Sequence, residues 1–177
     1  MTTIAVFVGS LRSDSINKKL AGELEKLLPE GVSFEYADLN VPLYNQDLEV
    51  DYPAEAKALK TLVEKADGVL FVTPEHNRSF PAALKNAIDW ASRPWGTNSF
   101  DGKPAAIAGA SASLATTQAQ QQLRNVALYL NTHLLGQPEM YIDVQRVHDE
   151  EGKLTPEAVE IYQNFVDTFV AHINKIK

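Results

Sequence analysis

The segment that decides the fold is IAVFVGSLRSDSIN, residues 4–17. Its first part, Ile4 to Val8, is a short apolar run rich in β-branched and aromatic side chains, which predicts a buried strand. Residues 9–17 are mostly polar and lead into a helical stripe of apolar positions at Ile16, Leu20, Leu24, Leu27 and Leu28. A buried strand, a polar loop and an amphipathic helix in this order are typical of α/β proteins.

The same alternation of apolar runs and helical stripes continues along the chain. We predict further strands at 32–37, 68–73, 105–108 and 140–144, and further helices at 58–66, 81–93, 123–130 and 159–176. Strands that are apolar on both faces and alternate with helices predict a parallel sheet covered on both sides. With right-handed crossovers, five such units fit the flavodoxin-like strand order 2-1-3-4-5. The prediction is a three-layer α/β sandwich formed by a single domain, residues 1–177.

Composition limits the classes of protein to which the chain can belong. The 177 residues are 45% hydrophobic and 22% charged, as in ordinary soluble proteins. A net charge of −7 weighs against general nucleic-acid binding, which needs a basic face. No apolar run approaches the roughly 20 residues of a membrane span, and the N-terminal segment lacks leader features. We therefore expect a cytoplasmic protein.

The absence of cysteine excludes several kinds of site. Disulfide scaffolds, thiolate metal centres and cysteine nucleophiles all require a residue that the chain lacks. Redox chemistry would need an organic cofactor or a metal with nitrogen and oxygen ligands. The four histidines show no metal-ligand spacing, so we predict no metal site.

Loops after strands 1, 3 and 4 are expected to meet at the carboxyl edge of the sheet. The first, residues 9–17, precedes a helix N-terminus, where free N–H groups and the helix dipole favour an anion. Serine hydroxyls, the Asn17 amide and the Arg12 guanidinium can all donate to phosphate oxygens. A single serine here is well explained as a helix cap, but the whole cluster favours an anion site. The patterns of a P-loop and of a glycine-rich dinucleotide loop are both missing.

The second and third loops carry weaker signals when each is taken alone. The second, TPEHNRSFP at 73–81, could offer backbone N–H groups to a flat heterocycle. Ser79 and Pro81 are explained by the start of the next helix, whereas Glu75-His76-Asn77 is not explained by capping. The third, GASAS at 109–113, has small residues that let a ligand approach the backbone, although it would equally suit a flexible polar loop.

These loops give the chain a resemblance to the NADPH-dependent FMN reductase family, which includes bacterial quinone, chromate and azo-dye reductases. The strongest parts are GSLRSDSIN at 9–17 and PEHNRSFPAALKNAIDW at 74–90, and GKP at 102–104 is a further likeness. The family often has tyrosine where this chain has His76. It tends to be glycine-rich where this chain has LATTQ at 114–118.

The resemblance implies a bound FMN, with NAD(P)H as co-substrate and a ping-pong transfer to a small electron acceptor. Quinone, free flavin, azo compound and chromate are the acceptors it suggests, and it assigns no obligatory acid or base. The first loop would hold the FMN phosphate, the second would line the isoalloxazine, and the third would border the ring. The implied cofactor-binding residues are Ser10, Arg12, Ser15, Ile16, Asn17, Pro74, Glu75, His76, Asn77, Arg78, Ser79 and Ser111. The resemblance also implies a homodimer or homotetramer.

Two other functions remain open at this point. A flavodoxin-type electron carrier would share the fold and the FMN without oxidising NAD(P)H directly, but Arg12 and the second loop favour the reductase. A flavin-free phospho-receiver module needs an aspartate at the carboxyl edge of the sheet. Neither strand 1, which runs into Gly9-Ser10, nor strand 3, which runs into Thr73-Pro74, supplies one.

Overall fold

Six parallel strands form one sheet in the computed structural model, which describes residues 1–112 and 115–177. They are β1 (Thr2–Val8), β2 (Val32–Tyr36), β3 (Gly68–Val72), β4 (Pro104–Ser111), β5 (His133–Leu134) and β6 (Met140–Asp143). The order is β2-β1-β3-β4-β5, with β6 also paired to β4. This order confirms the prediction of a flavodoxin-like sheet.

The outer edge of the sheet is more divided than the sequence predicts. One edge strand is expected at 140–144, but two short strands pair with β4. β5 lies beside residues 104–105, and β6 lies beside residues 108–111. Pro138 lies between them and has no N–H for the ladder, so it interrupts the edge strand. The predicted fifth strand is therefore the second half of a divided one.

Helices cover both faces of the sheet. In the described part of the chain they are α1 (Ile16–Glu25), α2 (Ala54–Lys65), α3 (Ala82–Ala91), α4 (Thr117–Tyr129) and α5 (Pro156–Ile176), with a short 3₁₀ helix at Gln46–Val50. Three helices begin before the apolar stripes that predict them, and one of these is α5, which starts at Pro156 instead of 159. α2 starts directly after Pro53, and α4 starts well before Leu123 because its first turns bury the polar Gln120. No helix among the described residues is both long and apolar enough to cross a bilayer.

The core lies on both sides of the central strands. On one face, Val6 belongs to a buried cluster with Leu24 of α1 and Phe165 of α5. On the other face, Phe7 belongs to a cluster with Ile88 of α3. Each large apolar side chain buried in this way contributes about 1.5–3 kcal/mol to folding. Two packed layers thus fix the strand ends from which the candidate site is built.

Candidate functional site

The carboxyl ends of β1, β3 and β4 lie side by side. Val8 pairs with Val72, and Val72 pairs with Ala108. The loops that follow these strands therefore begin at the same edge of the sheet, as the sequence predicts. We call the segments 9–15 and 73–81 the first and second rim loops.

The segment after β4, the third rim loop, is described only in part. Ser111 ends the strand and is half-buried. Ser113, in the predicted third loop, and Leu114, in the segment 114–118, lie outside the described residues. The loop reaches α4 at Thr116, whose backbone is left-handed with φ 64°. Thr116 packs so closely on Gly109 that any side chain at 109 would collide with it.

The first rim loop and the start of α1 together offer hydrogen-bond donors to an anion. Ser15 is buried and caps the helix, since its Oγ accepts a hydrogen bond of 3.3 Å from the backbone N of Lys18. The first turn of α1 contains no acidic residue to compensate the helix dipole. Arg12 is exposed and Ser10 half-buried beside this turn. These groups offer hydroxyl, guanidinium and backbone donors to a phosphate.

A carboxylate in the first rim loop is neutralised by a neighbour. Asp14 lies 2.6 Å from the Nζ of Lys19. This hydrogen bond and the lysine charge hold the pKa of Asp14 below its ordinary value. The loop can therefore present its other groups to an anion with the Asp14 charge paired locally.

Asn17, in the first turn of α1, joins this helix to β4. Its side chain is 2% exposed. Nδ2 donates to the carbonyl of Ala110 at 3.0 Å, and Oδ1 accepts from the N–H of Ala110 at 2.9 Å. One N–H of the amide is left for a further acceptor. The role of Asn17 at the phosphate thus stays a prediction, while its contacts fix the start of α1 to the end of β4.

An open cleft of about 690 Å³ borders the first rim loop. Ser10 and Lys18 line it on one side, and residues 36–40, which follow β2, line it on the other. The cleft gives a ligand access to the serine hydroxyl, with a cationic side chain beside it.

The second rim loop contains a tight reverse turn. The N–H of His76 donates to the carbonyl of Ser79 at 2.8 Å, and the N–H of Ser79 donates back at 2.9 Å. The central residues, Asn77 and Arg78, have φ of 51° and 65°. Two left-handed residues within a two-residue connection define a type I′ turn. Within the described part of the chain, no hydrogen bond uses the N–H of Asn77 or Arg78, so both are available to a ligand.

Glu75 caps a helix other than the one that follows it. Its Oε2 accepts hydrogen bonds from the backbone N of Gln118 at 3.0 Å and of Ala119 at 3.2 Å, in the first turn of α4. The N-cap residue Thr116 makes no side-chain cap bond with the described residues. The sequence analysis considers only the helix that follows this loop, and Glu75 does not cap that helix. Its proposed contact with the cofactor remains a prediction.

The interpretation that the start of α3 explains Ser79 is wrong, because Pro81 is the N-cap, without a side-chain cap bond, and the Ser79 hydroxyl donates to Gln122.

Sequence reasoning missed Gln122, which holds the reverse turn. Its Oε1 accepts from the hydroxyl of Ser79 at 2.6 Å, and its Nε2 donates to the carbonyl of Arg78 at 2.8 Å. An exposed glutamine in a helix carries no local signal for such a role. Only the fold brings α4 beside a turn that lies 43 residues earlier in the chain.

All the sequence-predicted site residues lie at this edge of the sheet. Ser10, Arg12, Ser15, Ile16 and Asn17 belong to the first rim loop and the start of α1, Pro74, Glu75, His76, Asn77, Arg78 and Ser79 to the second rim loop, and Ser111 to the end of β4. The donor set suits FMN, because a helix start with serine and arginine fits a phosphate and the free N–H groups of a turn fit the acceptor atoms of a flavin ring.

Comparison with known proteins identifies the family. The model of the NADPH-dependent FMN reductase family matches residues 2–146, a range that contains all three rim loops. The chain belongs to this family.

Relatives in this family match nearly the whole chain. A 2-hydroxy-1,4-benzoquinone reductase from Burkholderia sp. is 49% identical over 96% of this chain and 95% of its own length. A quinone reductase from Pseudomonas putida is 39% identical over 97% of this chain and 94% of its own length. The solved structure of FerB, a flavoenzyme NAD(P)H:(acceptor) oxidoreductase from Paracoccus denitrificans, has a TM-score of 0.92 and 43% identity, covering 99% of this chain and 98% of that chain.

Proposed function

We propose that this enzyme uses bound FMN to pass electrons from NAD(P)H to quinones or similar small acceptors. The observation that carries the proposal is the combination, on one sheet edge, of a helix start suited to an anion and a turn whose two central N–H groups bond to no described residue. A relative with 49% identity that is named a benzoquinone reductase favours quinones as acceptors.

The first and second rim loops would bind different parts of the cofactor. Ser10, Arg12 and Ser15 would hold the phosphate, and the N–H groups of Asn77 and Arg78 would face the ring. FMN, when bound, supplies the chemistry of accepting a hydride and releasing electrons. The Arg78 guanidinium lies 3.8 Å from the Glu75 carboxylate, but its side chain is 68% exposed, so it would also attract the phosphates of an incoming nucleotide.

We also propose that the enzyme is a homodimer or homotetramer acting in the cytoplasm, where NAD(P)H is available. Large apolar side chains stand exposed near α3 and α4: Trp95 is 78% exposed, Leu128 63% and Tyr129 72%. Trp95 and Tyr129 border a groove of about 730 Å³. An exposed apolar surface of this kind is typical of a contact between subunits. Sedimentation velocity of the purified protein would measure the assembly.

The function is tested by reconstituting the purified protein with FMN. We expect a yellow protein that oxidises NADH or NADPH when benzoquinone is present, with the parallel double-reciprocal lines of a ping-pong reaction. Free FMN at equal concentration is the control. A yellow protein that reacts only when a separate reductase is added would instead be an electron carrier, and a protein that takes up no FMN would contradict the proposal.

A further inference from the structure

The reverse turn of the second rim loop is fixed on both sides by α4. On its N-terminal side, Glu75 binds the backbone N–H groups of Gln118 and Ala119. On its C-terminal side, Gln122 binds the hydroxyl of Ser79 and the carbonyl of Arg78. The bound groups on α4 are about one helical turn apart, so a single rigid element sets the position of the whole turn.

The turn needs such support because its conformation is unfavourable for its sequence. Asn77 tolerates a left-handed backbone, but Arg78 at φ 65° adopts it at an energetic cost, because its Cβ crowds the neighbouring carbonyl oxygen. A strained residue keeps its conformation only when its surroundings hold it. The bond from Gln122 to the Arg78 carbonyl acts directly on the strained peptide.

We propose that Gln122 is a positioning residue for the flavin, holding the turn so that the N–H groups of Asn77 and Arg78 aim at the ring. This inference rests on the proposed function. A reduced flavin carries more negative charge than an oxidised one, and hydrogen bonds to a charged acceptor are about twice as strong as neutral ones. Fixed donors to the ring atoms that gain negative charge would therefore bind the reduced cofactor more tightly and raise its reduction potential.

The side chain can be replaced without damage to the core. Gln122 is exposed on α4, and its hydrogen bonds lie at the surface. Gln122→Leu removes both bonds and keeps a good helix-forming residue. Gln122→Glu keeps an acceptor for Ser79 but loses the donor to the Arg78 carbonyl. Gln121→Leu is the matched control, since Gln121 is also exposed on α4 and contacts Tyr141 instead of the turn.

The experiment measures FMN affinity and reduction potential for the wild type and the three variants. For Gln122→Leu we expect the dissociation constant to rise about threefold for oxidised FMN and about thirtyfold for reduced FMN. The tenfold difference corresponds to a midpoint potential about 30 mV more negative for a two-electron couple. For Gln122→Glu we expect an FMN affinity and a midpoint potential between those of the wild type and of Gln122→Leu. Gln121→Leu is expected to match the wild type in both.

A second readout needs no cofactor. In the apoprotein, Gln122→Leu is expected to speed hydrogen exchange at the N–H groups of His76 and Ser79, which close the turn, while Gln121→Leu leaves them unchanged. Faster exchange with an unchanged potential would overturn the proposal, because Gln122 would then only stabilise the turn. If the wild type binds FMN and reduces quinone while both leucine variants share its potential, the positioning role is refuted and the function stands. A wild type that binds no FMN would refute both.

Discussion

At the scale of single residues, Arg78 combines an unfavourable backbone with a useful side chain. Glycine adopts φ 65° without strain and is preferred in type I′ turns. We therefore expect Arg78→Gly to be about 1 kcal/mol more stable than Arg78→Ala in urea unfolding, since both lose the guanidinium but only alanine keeps the strain.

The same pair of variants separates stability from binding. Because both lack the cation, both should show a KM for NADPH several times that of the wild type at low ionic strength, with the difference shrinking in salt. Equal stability of the two variants would show that residue 78 carries no strain. An unchanged KM in both would show that the guanidinium attracts no nucleotide.

Much of the site could be predicted residue by residue, but not the partners of those residues. The polar cluster at 9–17 predicts an anion site because its serine, arginine and asparagine residues lie next to the helix start in the sequence. Asn17 and Glu75 are different, because each uses its side chain on a backbone far along the chain, at Ala110 and in α4. Residue type shows that such groups can bond. Only the folded sheet determines which backbone they meet.

At the scale of secondary structure elements, the start of α4 depends on a residue outside the helix. Glu75 supplies the carboxylate that binds its first-turn N–H groups. We expect Glu75→Ala to lower the free energy of unfolding by about 1–2 kcal/mol, as the loss of a helix cap does. Glu75→Gln keeps an acceptor but loses the charge that suits a helix N-terminus, so its cost should be about half as large. Urea unfolding measures both.

The outcome that would contradict this account is specific to the helix. If Glu75→Ala and Glu75→Gln unfold at the same urea concentration as the wild type, the cap contributes nothing. Amide exchange at Gln118 and Ala119 offers a local check, since these two N–H groups should exchange faster in the alanine variant.

Hydrophobic periodicity predicts elements well where it is strong and poorly where polar residues enter the core. The central strands β1 and β3 are buried apolar runs and lie where predicted. α4 is longer than its stripe because Gln120 is fully buried, with Nε2 bonded to Thr116 and to the carbonyl of Met140. The edge strand is divided at Pro138, which lacks the N–H that would bond to a neighbouring strand. The sequence alone does not show which strand lies beside Pro138.

At the scale of the whole molecule, side chains fix the functional edge by joining elements that are distant in the sequence. Asn17 connects the first turn of α1 to β4, and Glu75 connects the second rim loop to α4. A flavin bound across this edge would contact groups that are already in place, so little ordering would be needed on binding. The opposite edge of the sheet is held by another side chain, Asp67, which joins distant parts of the chain.

Asp67 ties the first strand to the last helix and should make stability depend on pH. Its Oδ2 accepts from the N–H of Thr3 at 2.8 Å, and its Oδ1 lies 2.7 Å from the Nζ of Lys177. Burial favours the neutral carboxyl, but the contacts with Lys177 and Thr3 outweigh it and hold the pKa of Asp67 below its ordinary value. The stabilisation is therefore present above about pH 4 and is lost as the pH falls through the folded-state pKa. We expect Asp67→Asn to be less stable than the wild type by about 1 kcal/mol at pH 7, with the difference in stability narrowing below about pH 4.

Urea unfolding from pH 7 to pH 3 measures this difference in stability. The variant Lys177→Met keeps the Thr3 bond and should retain part of the pH dependence. A difference that stays constant over this range would show that the Asp67 carboxylate is not preferentially stabilised in the folded protein.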